Sequence, residues 1–461
     1  MTDDCAFLDD ILDAGQVSRR DHAREDRAGD WSTHPEDAVR PDAVVWPEST
    51  TDVAAVLSGA NERGIPVTPY AAGTGLEGGA TPAQGGISLD LTRMDDILDV
   101  RPADLQVDVQ PGVLGSAVDE AVARHGLFFP PLPSSGDIST IGGMVATDAS
   151  GMQTVKYGEV ADWVLELEAV LADGTVISTG SKARKTSAGY NLKDLLVGSE
   201  GTLGVVTRAT LELAGRPEQV KGGRAVFPDL DAAGNAIADA VQSGVDLAKI
   251  ELLGPDAATV ANAYNDSDLP DQPMVFVEFH ADHGVDDEIG FCRAVFGAHD
   301  PHSFDIAPGP EMDDLWRLRK DMAYAVDEYD PDLTPLHPGD VTVPISDLPA
   351  VIRFVKERAA EADLLVPCFG HAGDGNLHYE VLVDLDDPEM VERGEALYAA
   401  VVERAIELGG TATGEHGVGR GKRDYLEAEH GSGTVETMAV IKDALDPDGI
   451  LNPEKVLPDR T

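Results

Sequence analysis

A glycine-rich segment between two predicted strands most narrows the folds open to this chain of 461 residues. After the strand IPVTPYAA comes Gly73-Thr74-Gly75-Leu76-Glu77-Gly78, which matches the pattern G-x-G-x-x-G. In a dinucleotide-binding (Rossmann) fold a helix starts directly from these glycines, because its amino terminus carries the pyrophosphate. Here Thr81-Pro82 and Gln84-Gly85-Gly86 follow, and then a second strand. The sequence therefore predicts an anion-binding backbone loop outside a Rossmann fold.

Two further segments have the same character. Taken alone, the first segment is equally compatible with a flexible turn. Residues 130–158 (PPLPSSGDISTIGGMVATDASGMQTVKYG) match neither an ordinary helix nor an ordinary strand, and residues 185–204 place another glycine-rich turn before a strand. Such segments hold the backbone close to a flat or charged group. Three of them in one domain predict a long, phosphate-bearing ligand that extends across it.

The motifs HAGDGNLH and GEHGVG supply candidate metal ligands and a base. His371, His378 and Glu415 form a His/His/carboxylate set, which suits zinc, manganese or iron with open coordination positions. In isolation the set is typical of a hydrolytic metal site, while a single histidine in an apolar strand is more often a core residue. His416 follows Glu415 and is a candidate general base. Residues 373–376 (GDGN) predict a tight turn, with second-shell orientation of the ligands as the alternative.

The order of strand and helix patterns divides the chain near Arg216-Pro217. Before it, AVVWPEST and TDVAAVLSGANERG predict a strand and a capped helix, and WVLELEAVLADGTVIST predicts a β-hairpin turning at Asp173-Gly174. ISLDLTRM and LQVDVQPGV alternate as half-buried strands do, and LGVVTRATLELA predicts a closing strand. After it, helices alternate with strands as in an α+β domain. The first 37 or so residues are charged and weakly periodic, which favours a helical lead-in segment.

The charge balance is extreme, with 84 acidic against 34 basic residues and a formal net charge of −50. Such a surface repels itself, and molar salt relieves the repulsion by shortening the screening length to about 3 Å. We therefore expect adaptation to the salt-rich cytoplasm of a halophile, in particular a haloarchaeon. An acidic mesophilic protein is the alternative. Nucleic-acid binding is disfavoured, because no basic stripe exists to meet phosphates.

The cysteines and the N-terminal residues bear on electron transfer and location. Cys5, Cys292 and Cys368 are isolated, which gives neither a disulfide framework nor the spacing of an iron–sulfur cluster. Any electrons must therefore leave to an acceptor outside the chain. The acidic start MTDDCAFLDDILDAG lacks the basic region of a signal peptide, and no segment approaches the about 20 apolar residues of a membrane span. These features favour a cytoplasmic protein, with peripheral membrane attachment left open.

The motifs taken together resemble a known family. GTGLEGGA, PPLPSS, TIGGMVATDASG, KYG, SAGYNLKDLLVGSEGTLGVVT, HAGDGNLH, GEHGVG and DPDGILNP are similar to the D-lactate dehydrogenase and glycolate oxidase flavoprotein-subunit branch of the vanillyl-alcohol-oxidase superfamily. The resemblance implies an α+β fold, with a two-subdomain PCMH-type FAD-binding domain and an α+β, ferredoxin-like cap domain for the substrate. Together with the change in the order of strand and helix patterns near Arg216-Pro217, the resemblance predicts four parts of the chain. These are an N-terminal helical segment (1–37), an FAD-binding domain (38–216), a cap domain (217–410) and a C-terminal segment returning to the flavin (411–461).

The resemblance also implies which residues bind FAD. In that branch the first glycine loop wraps the pyrophosphate, the TIGG segment lies along the isoalloxazine and ribityl chain, and the GTLGVV strand meets the adenosine half. By position, the predicted FAD-binding residues are Ala72, Gly73, Thr74, Gly75, Leu76, Gly79, Ala80, Pro133, Ser134, Ser135, Thr140, Gly142, Gly143, Ala146, Thr147, Gly151, Tyr157, Gly158, Glu200, Gly201, Gly204, Val205, Val206 and Asn452. Because the loop PYAAGTGLEGGA holds neither histidine nor cysteine, we expect non-covalent FAD.

For the catalytic residues, the resemblance implies one divalent zinc, manganese or iron ion on His371, His378 and Glu415, with His416 as the base. In similar proteins an arginine holds the substrate carboxylate, and the predicted helix LWRLRKDMAYAVDEY assigns that role to Arg319. Bidentate geometry favours arginine over lysine there. Ordinary surface pairing with Asp and Glu is the alternative for this residue.

The implied reaction is oxidation of a small D-2-hydroxy acid, best fitted by D-lactate to pyruvate, with hydride passing to the flavin. Electrons would leave to a quinone, a cytochrome or an electron-transfer protein. D-2-Hydroxyglutarate enzymes carry Lys and Asn where this chain has Pro338 and Glu380, which disfavours a dicarboxylate substrate. A glycolate oxidase subunit with an iron–sulfur partner, and a flavin-binding protein without turnover, are the alternatives.

Overall fold

The computed structural model describes residues 5–307 and 309–459, and these form two compact units. The first unit consists of the described residues up to Ser150, of Glu159–Arg216, and of Glu415 onward. The second consists of Gly151–Gly158 and Pro217–Gly414. The predicted N- and C-terminal segments include residues 1–4 and 460–461, which lie outside the described residues. The domain limits predicted from the sequence stay a prediction.

The first unit contains a four-stranded sheet in the order β1-β2-β4-β3, a five-stranded sheet in the order β5-β6-β10-β8-β9, and the strand pair β11-β7. These strands are β1 (Val17–Ser18), β2 (Ala43–Val45), β3 (Val67–Tyr70), β4 (Ile87–Asp90), β5 (Ile97–Arg101), β6 (Gln106–Val109), β7 (Leu127–Phe128), β8 (Val164–Val170), β9 (Val176–Gly180), β10 (Val205–Glu212) and β11 (Ala214–Gly215).

Short helices accompany these strands. They are α1 (Leu8–Ile11), α2 (Asp21–Glu25), α3 (Thr50–Asn61), α4 (Gly115–Ala123), α5 (Ile141–Thr147), α6 (Thr154–Tyr157), α7 (Val160–Trp163) and α8 (Leu192–Leu196). Of these, α6 belongs to the second unit. The predicted hairpin is confirmed, since β8 and β9 pair antiparallel up to Val170 and Val176 and enclose the turn at Asp173-Gly174.

The glycine-rich segment joins two parallel strands. β3 and β4 pair in parallel from Val67 and Ile87 onward, and residues 71–86 between them contain no helix. The exclusion of a Rossmann fold is therefore confirmed, because no helix amino terminus opens from the glycines. The helix predicted after β2 is also present as α3, and its first turn is capped by the Ser49 side chain, which accepts from the Asp52 N–H at 3.2 Å.

Residues 130–158 contain the helices α5 and α6. The prediction that this segment matches neither an ordinary helix nor an ordinary strand is therefore wrong for these two stretches. Thr140 starts α5, its hydroxyl accepting the Gly143 N–H at 3.2 Å. Asp148 ends the helix in the left-handed region, at φ 51°. Two adjacent glycines lower the helix propensity of this segment, and tertiary packing overrides that preference by burying Met144 and Val145 in the core.

The strands β4 and β6 were predicted to be half-buried, and this is wrong, because all their residues are buried. The carboxylates of these strands have internal partners. Asp90 accepts from Arg27 Nε at 2.9 Å and from Trp46 Nε1 at 2.8 Å, and Asp108 forms an ion pair with Arg101 at 2.6 Å. Alternation of polar and apolar residues therefore marks paired buried groups in this chain, as well as exposed faces.

The N-terminal segment is only partly helical. Beside α1 and α2 it contains β1, which pairs antiparallel with β2 through Val17 and Val45. Leu8 and Leu12 pack in the core that surrounds α3. This strand was not predicted, because two residues carry no periodic signal and pair only when the sheet edge is formed.

The second unit is built on a seven-stranded sheet in the order β15-β12-β14-β13-β17-β18-β16, with antiparallel pairing throughout. Its strands are β12 (Gln219–Val226), β13 (Lys249–Leu253), β14 (Met274–Ala281), β15 (Ser303–Ala307), β16 (Thr334–Thr342), β17 (Cys368–Gly370) and β18 (Asn376–Val383).

Helices pack against this sheet, as the α+β prediction requires. They are α9 (Leu230–Ser243), α10 (Pro255–Asn265), α11 (Val285–Phe296), α12 (Gly309–Lys320), α13 (Met322–Asp327), α14 (Leu348–Ala362) and α15 (Pro388–Glu407). The helix predicted over residues 315–329 is interrupted at Asp321, where α13 begins a new turn. Leu318 and Met322, on the two sides of this break, share a core with Phe276 and Phe369 of the sheet.

The C-terminal helices α16 (Leu426–His430) and α17 (Ser432–Leu445) belong to the first unit. Asp446 ends α17 and is 1% exposed; its carboxylate accepts the N–H groups of Ile450 at 3.0 Å and Leu451 at 2.8 Å, and it pairs with Lys442. This turn directs the following residues along β3, where the Asn452 N–H bonds to Val67 O at 2.8 Å. In the part of the chain that the structure describes, no helix is long and apolar enough to cross a bilayer.

We expect Asp446→Ala to destabilise the protein by about 3–5 kcal/mol, because the change leaves the half-buried Lys442 ammonium and two buried N–H groups without this acceptor. Thermal unfolding at fixed salt and pH measures the effect. Glu436→Ala is the matched control, since Glu436 is exposed on the same helix. Equal unfolding temperatures for the two variants would contradict the assignment.

Candidate functional site

Two of the predicted flavin-binding segments meet in the first unit. The first glycine loop (72–80) follows β3, and the second loop (133–143) leads into α5. Thr74 Oγ1 lies 3.1 Å from Ser139 Oγ, which in turn donates to Ser135 Oγ at 2.8 Å. A chain of hydroxyl groups therefore links the two loops side by side, as a ligand extending across both would need.

Asn452 joins the first glycine loop to the third loop (199–206). Its Nδ2 donates to Gly79 O at 3.0 Å and to Glu200 O at 2.7 Å. The side chain is buried, and among the described residues its Oδ1 has no hydrogen-bond partner. A buried acceptor of this kind fits a polar ligand that supplies a donor. The three loops and this amide are thus a set of groups suited to a long polar cofactor such as FAD.

Glu200 ties the third loop to the GEHGVG turn. Its two carboxylate oxygens accept the backbone N–H groups of Val418 at 2.7 Å and Gly419 at 2.8 Å. Burial raises the pKa of the Glu200 carboxyl to about 7, and the two N–H groups oppose this rise. The side chain predicted to bind FAD is therefore also the support of the turn that contains His416.

His416 lies next to the first glycine loop. Its Nδ1 is 4.0 Å from a carboxylate oxygen of Glu77, and Glu77 also pairs with the buried Lys422 at 3.2 Å. The backbone oxygen of Glu77 accepts the Arg420 N–H at 2.7 Å. Gly419 needs its glycine, because its φ is +49° and a Cβ would lie 2.1 Å from Glu77 O. The turn is therefore fixed against the loop, and His416 belongs to the same unit as the three glycine-rich loops for which FAD binding is predicted.

In the second unit, His371 and His378 lie close together on neighbouring strands. His371 directly follows β17 and His378 is in β18, with the tight turn through Gly375 between them. The ring centroids are 5.1 Å apart and the ring planes are almost perpendicular, at 89°. Both side chains are buried. The turn interpretation of GDGN is confirmed, and two imidazoles at this separation are suitable donors for one metal ion.

Arg319 and His371 are linked by a residue that the sequence reading did not identify. Glu251, in β13, bonds through Oε1 to His371 Nδ1 and through Oε2 to Arg319 Nε, both at 2.8 Å. Arg319 is 4% exposed, so its pairing is buried and differs from the surface pairing weighed as the alternative. Its Nη2 has no hydrogen-bond partner among the described residues. The guanidinium thus retains a buried donor for a further acceptor.

Asp340 fixes the backbone just before the Glu-His pair. Its Oδ2 accepts the Gly414 N–H at 2.7 Å, and its Oδ1 accepts from Asn376 Nδ2 at 2.6 Å. A Cβ on Gly414 would lie 2.2 Å from the Asn376 amide nitrogen, so only glycine allows this approach. Glu415 is the next residue along the chain. Asp340 in β16 and Asn376 in β18 therefore determine the backbone position of Gly414.

The other predicted residues divide between the units. Most of the predicted FAD-binding set belongs to the first unit, together with Glu415 and His416. Gly151, Tyr157 and Gly158 belong to the second, where Tyr157 Oη lies 2.9 Å from His280 Nδ1. The assignment of each of these residues to FAD stays a prediction.

Sequence reasoning missed Glu251, Asp340 and the support role of Glu77. The available signal for Glu251 is an acidic residue inside the apolar run KIELL. In a chain with 84 acidic residues this signal is weak, because an acid is the expected residue at most exposed positions. Only burial distinguishes these carboxylates from the many that face water.

Two family models match the chain. The model described as FAD binding domain covers residues 41–180, and the model described as FAD linked oxidases, C-terminal domain, covers residues 216–456. Among solved structures, 4-ethylphenol oxidase from Gulosibacter chungangensis matches 99% of this chain and 97% of its own, with a TM-score of 0.80 at 19% identity. p-Cresol methylhydroxylase matches 99% and 96%, with a TM-score of 0.81 at 17% identity. These structures confirm the predicted PCMH-type fold.

Curated relatives are similar over almost the whole chain. A probable mitochondrial D-lactate dehydrogenase of Danio rerio is 36% identical over 97% of this chain and 89% of its own. Glycolate oxidase subunit GlcD of Bacillus subtilis is 36% identical over 96% and 95%. A mitochondrial D-lactate dehydrogenase [cytochrome] of Arabidopsis thaliana is 37% identical over 91% and 74%. The chain therefore belongs to the FAD-linked oxidase family that includes these proteins, and it is an FAD-linked oxidoreductase.

Proposed function

We propose that this protein oxidises D-lactate to pyruvate with FAD and one divalent metal ion. The observation that carries the proposal is the buried Arg319 guanidinium, whose Nη2 has no partner among the described residues and whose Nε is linked through Glu251 to His371. A buried unpaired donor is costly, and a carboxylate is the ligand that matches a guanidinium best. Two relatives named D-lactate dehydrogenase support lactate as the substrate whose carboxylate binds Arg319.

Non-covalent FAD is assigned to the three loops of the first unit. The loop before and through the glycines, PYAAGTGLEGGA, offers no histidine or cysteine for a covalent bond. The hydroxyls of Thr74 and Ser139 and the amide of Asn452 are polar groups on which a flavin dinucleotide could be held. When bound, FAD accepts the hydride and thus both electrons of the oxidation.

The metal is assigned to His371, His378 and Glu415, as zinc, manganese or iron. The two imidazoles, with ring centroids 5.1 Å apart, provide neutral nitrogen donors. Glu415 follows Gly414, which Asp340 anchors. A set of two histidines and one carboxylate leaves coordination positions open for a substrate. When bound, the ion supplies a positive charge that lowers the pKa of a coordinated hydroxyl.

The remaining steps belong to the protein's own side chains. Arg319 binds the substrate carboxylate and thereby fixes the position of the substrate's C2 atom relative to the guanidinium. His416 accepts the hydroxyl proton, so that the substrate loses one proton and one hydride and becomes the 2-oxo acid. Glu200 and Glu77 hold the turn that carries His416, which limits the freedom of the base.

Substrate size is assigned from Pro338 and Glu380. These residues are direct partners in the β16–β18 pair, so the two departures from the D-2-hydroxyglutarate enzymes occupy one place in the sheet. A carboxylate of Glu380 repels a second substrate carboxylate, and Pro338 supplies no cation to hold it. D-2-Hydroxyglutarate is therefore the disfavoured substrate.

A glycolate oxidase subunit is the second candidate, because the identity to GlcD equals that to the first D-lactate dehydrogenase, at 36%. In that case electrons would pass to an iron–sulfur partner subunit. For the main proposal we assign the electrons to an external quinone, cytochrome or electron-transfer protein.

Anaerobic mixing of the purified protein with candidate substrates tests the function. We expect D-lactate to bleach the flavin absorbance fastest, glycolate to react more slowly because it lacks the methyl group, and D-2-hydroxyglutarate and L-lactate to leave the flavin oxidised. Stopped-flow absorbance measures the reduction. Faster reduction by glycolate would favour the second candidate, and no reduction by any 2-hydroxy acid would contradict both.

We expect His416→Ala to slow flavin reduction about 100- to 10,000-fold, because the change removes the general base. Single-turnover reduction by D-lactate measures the rate, and the flavin absorbance per chain shows that the cofactor is still bound. His125→Ala is the control, since His125 is an exposed histidine of the same unit. Retained reduction with bound flavin would exclude His416 as the base.

We also propose a salt-rich cytoplasm as the working environment, because of the net charge of −50. Transfer from molar KCl to 0.1 M KCl lengthens the screening distance from about 3 to about 10 Å and restores the repulsion among the acidic side chains. We expect loss of circular-dichroism structure and release of flavin on this transfer, both monitored over time. A protein that stays folded and active at low salt would contradict the adaptation.

A further inference from the structure

Glu251 is buried completely, and each of its carboxylate oxygens has its own partner. Oε1 lies 2.8 Å from His371 Nδ1 and Oε2 lies 2.8 Å from Arg319 Nε. The three residues come from three elements, β13, the residue after β17, and α12. The side chain of Glu251 in β13 therefore contacts both a proposed metal ligand and the proposed substrate-binding arginine.

The chemistry of the contact decides which imidazole nitrogen is available. A carboxylate next to a permanently charged guanidinium is an acceptor only, so the Nδ1 of His371 carries the proton of the hydrogen bond. The Nε2 atom of the same ring then keeps its lone pair. Metal-bound histidines commonly donate their second N–H to a carboxylate, which fixes both the tautomer and the ring orientation.

The contact also restricts Arg319. Its Nε is engaged with Glu251, and its guanidinium lies over the ring of Phe369, with 4.9 Å between Cζ and the ring centroid. These two contacts hold the plane of the guanidinium while Nη2 has no partner among the residues the structure describes. The side chain is thus oriented before any ligand arrives, which lowers the entropy cost of binding one.

We infer that Glu251 is a positioning residue that orients His371 for the metal and Arg319 for the substrate carboxylate at the same time. This inference rests on the proposed function, since it presumes the metal and the carboxylate substrate. It gives one side chain control over two binding events. Loss of the carboxylate should therefore weaken metal binding and raise KM together.

The same sheet supplies a matched control. Glu278, in β14, is 4% exposed and also has two partners, His280 Nε2 at 2.8 Å and Lys249 Nζ at 3.0 Å. It resembles Glu251 in burial, in strand position and in pairing with one histidine and one cation, although both of its contacts use Oε1. Its partners are outside the proposed metal and carboxylate sites. A purely structural effect of losing a buried glutamate should be the same at both positions.

The test compares Glu251→Gln with Glu278→Gln in molar KCl. Bound metal is first counted in the untreated wild type by elemental analysis, then removed with a chelator, and Zn²⁺ and Mn²⁺ are titrated back against a competing indicator. Glutamine offers one acceptor oxygen where glutamate offers two, so Arg319 and the Nδ1–H tautomer of His371 can no longer each donate to an oxygen of their own. We expect about 10- to 100-fold weaker metal binding for Glu251→Gln. The affinity of Glu278→Gln should match the wild type.

A second readout separates positioning from general damage. At saturating metal, Glu251→Gln should raise KM for D-lactate more than it lowers kcat, because Arg319 makes its contact with the carboxylate already in the ground state. Flavin absorbance and circular dichroism report folding. Glu251→Asp retains the charge with a shorter arm, and we expect its metal affinity to lie between those of wild type and Glu251→Gln.

The outcomes are distinguishable. If the wild type binds metal and folded Glu251→Gln binds it with the same affinity, the positioning role is overturned and the proposed function is left intact. Equal losses of metal affinity in Glu251→Gln and Glu278→Gln would have the same consequence. A wild type that turns over D-lactate without metal would overturn both. Failure of both Glu251 variants to fold would assign the residue to the stability of the sheet and would also overturn the inference.

Discussion

Buried carboxylates hold the segments to which we assign chemistry. Asp340 accepts the Gly414 N–H, Glu200 accepts the Val418 and Gly419 N–H groups, and Glu251 accepts from His371 and Arg319. A carboxylate is stable in a protein interior only when such partners satisfy it. Each of these groups therefore fixes the backbone or the side chains around it. This constraint requires glycine at positions 414 and 419 of GEHGVG, since a Cβ at Gly414 would collide with Asn376 and a Cβ at Gly419 with Glu77 O.

The buried carboxylates differ in role from most acidic residues of this chain. Most of the 84 acidic residues contribute to a surface charge that salt must screen, whereas the buried few are paired with N–H groups, an arginine or a lysine. The same residue type thus performs two unrelated tasks. Burial separates them: Glu251 and Asp340 have 0% exposure, while Glu436 is exposed. Screening by salt acts strongly on the exposed charges and weakly on the buried pairs.

Much of the fold was open to prediction because its signals are local. The β8–β9 hairpin, the helix α3 with its Ser49 cap, and the absence of a helix between β3 and β4 follow from turn residues, capping residues and periodicity. The features that were missed depend on distant partners. β1 requires the edge of β2, and α5 forms although two adjacent glycines weaken its helix signal. The carboxylate of Asp90 in β4 is buried because the distant residues Arg27 and Trp46 donate hydrogen bonds to it.

By itself, the sequence determined the types of group present: three glycine-rich loops, two histidines seven residues apart, a Glu-His pair and a basic helix. It also determined the family, because these motifs occur in order along nearly the whole chain. The tertiary structure alone decided that Arg319 and His371 share Glu251, across sequence separations of 68 and 120 residues. No local pattern records such a contact, since strand pairing and packing bring these residues together only in the folded sheet.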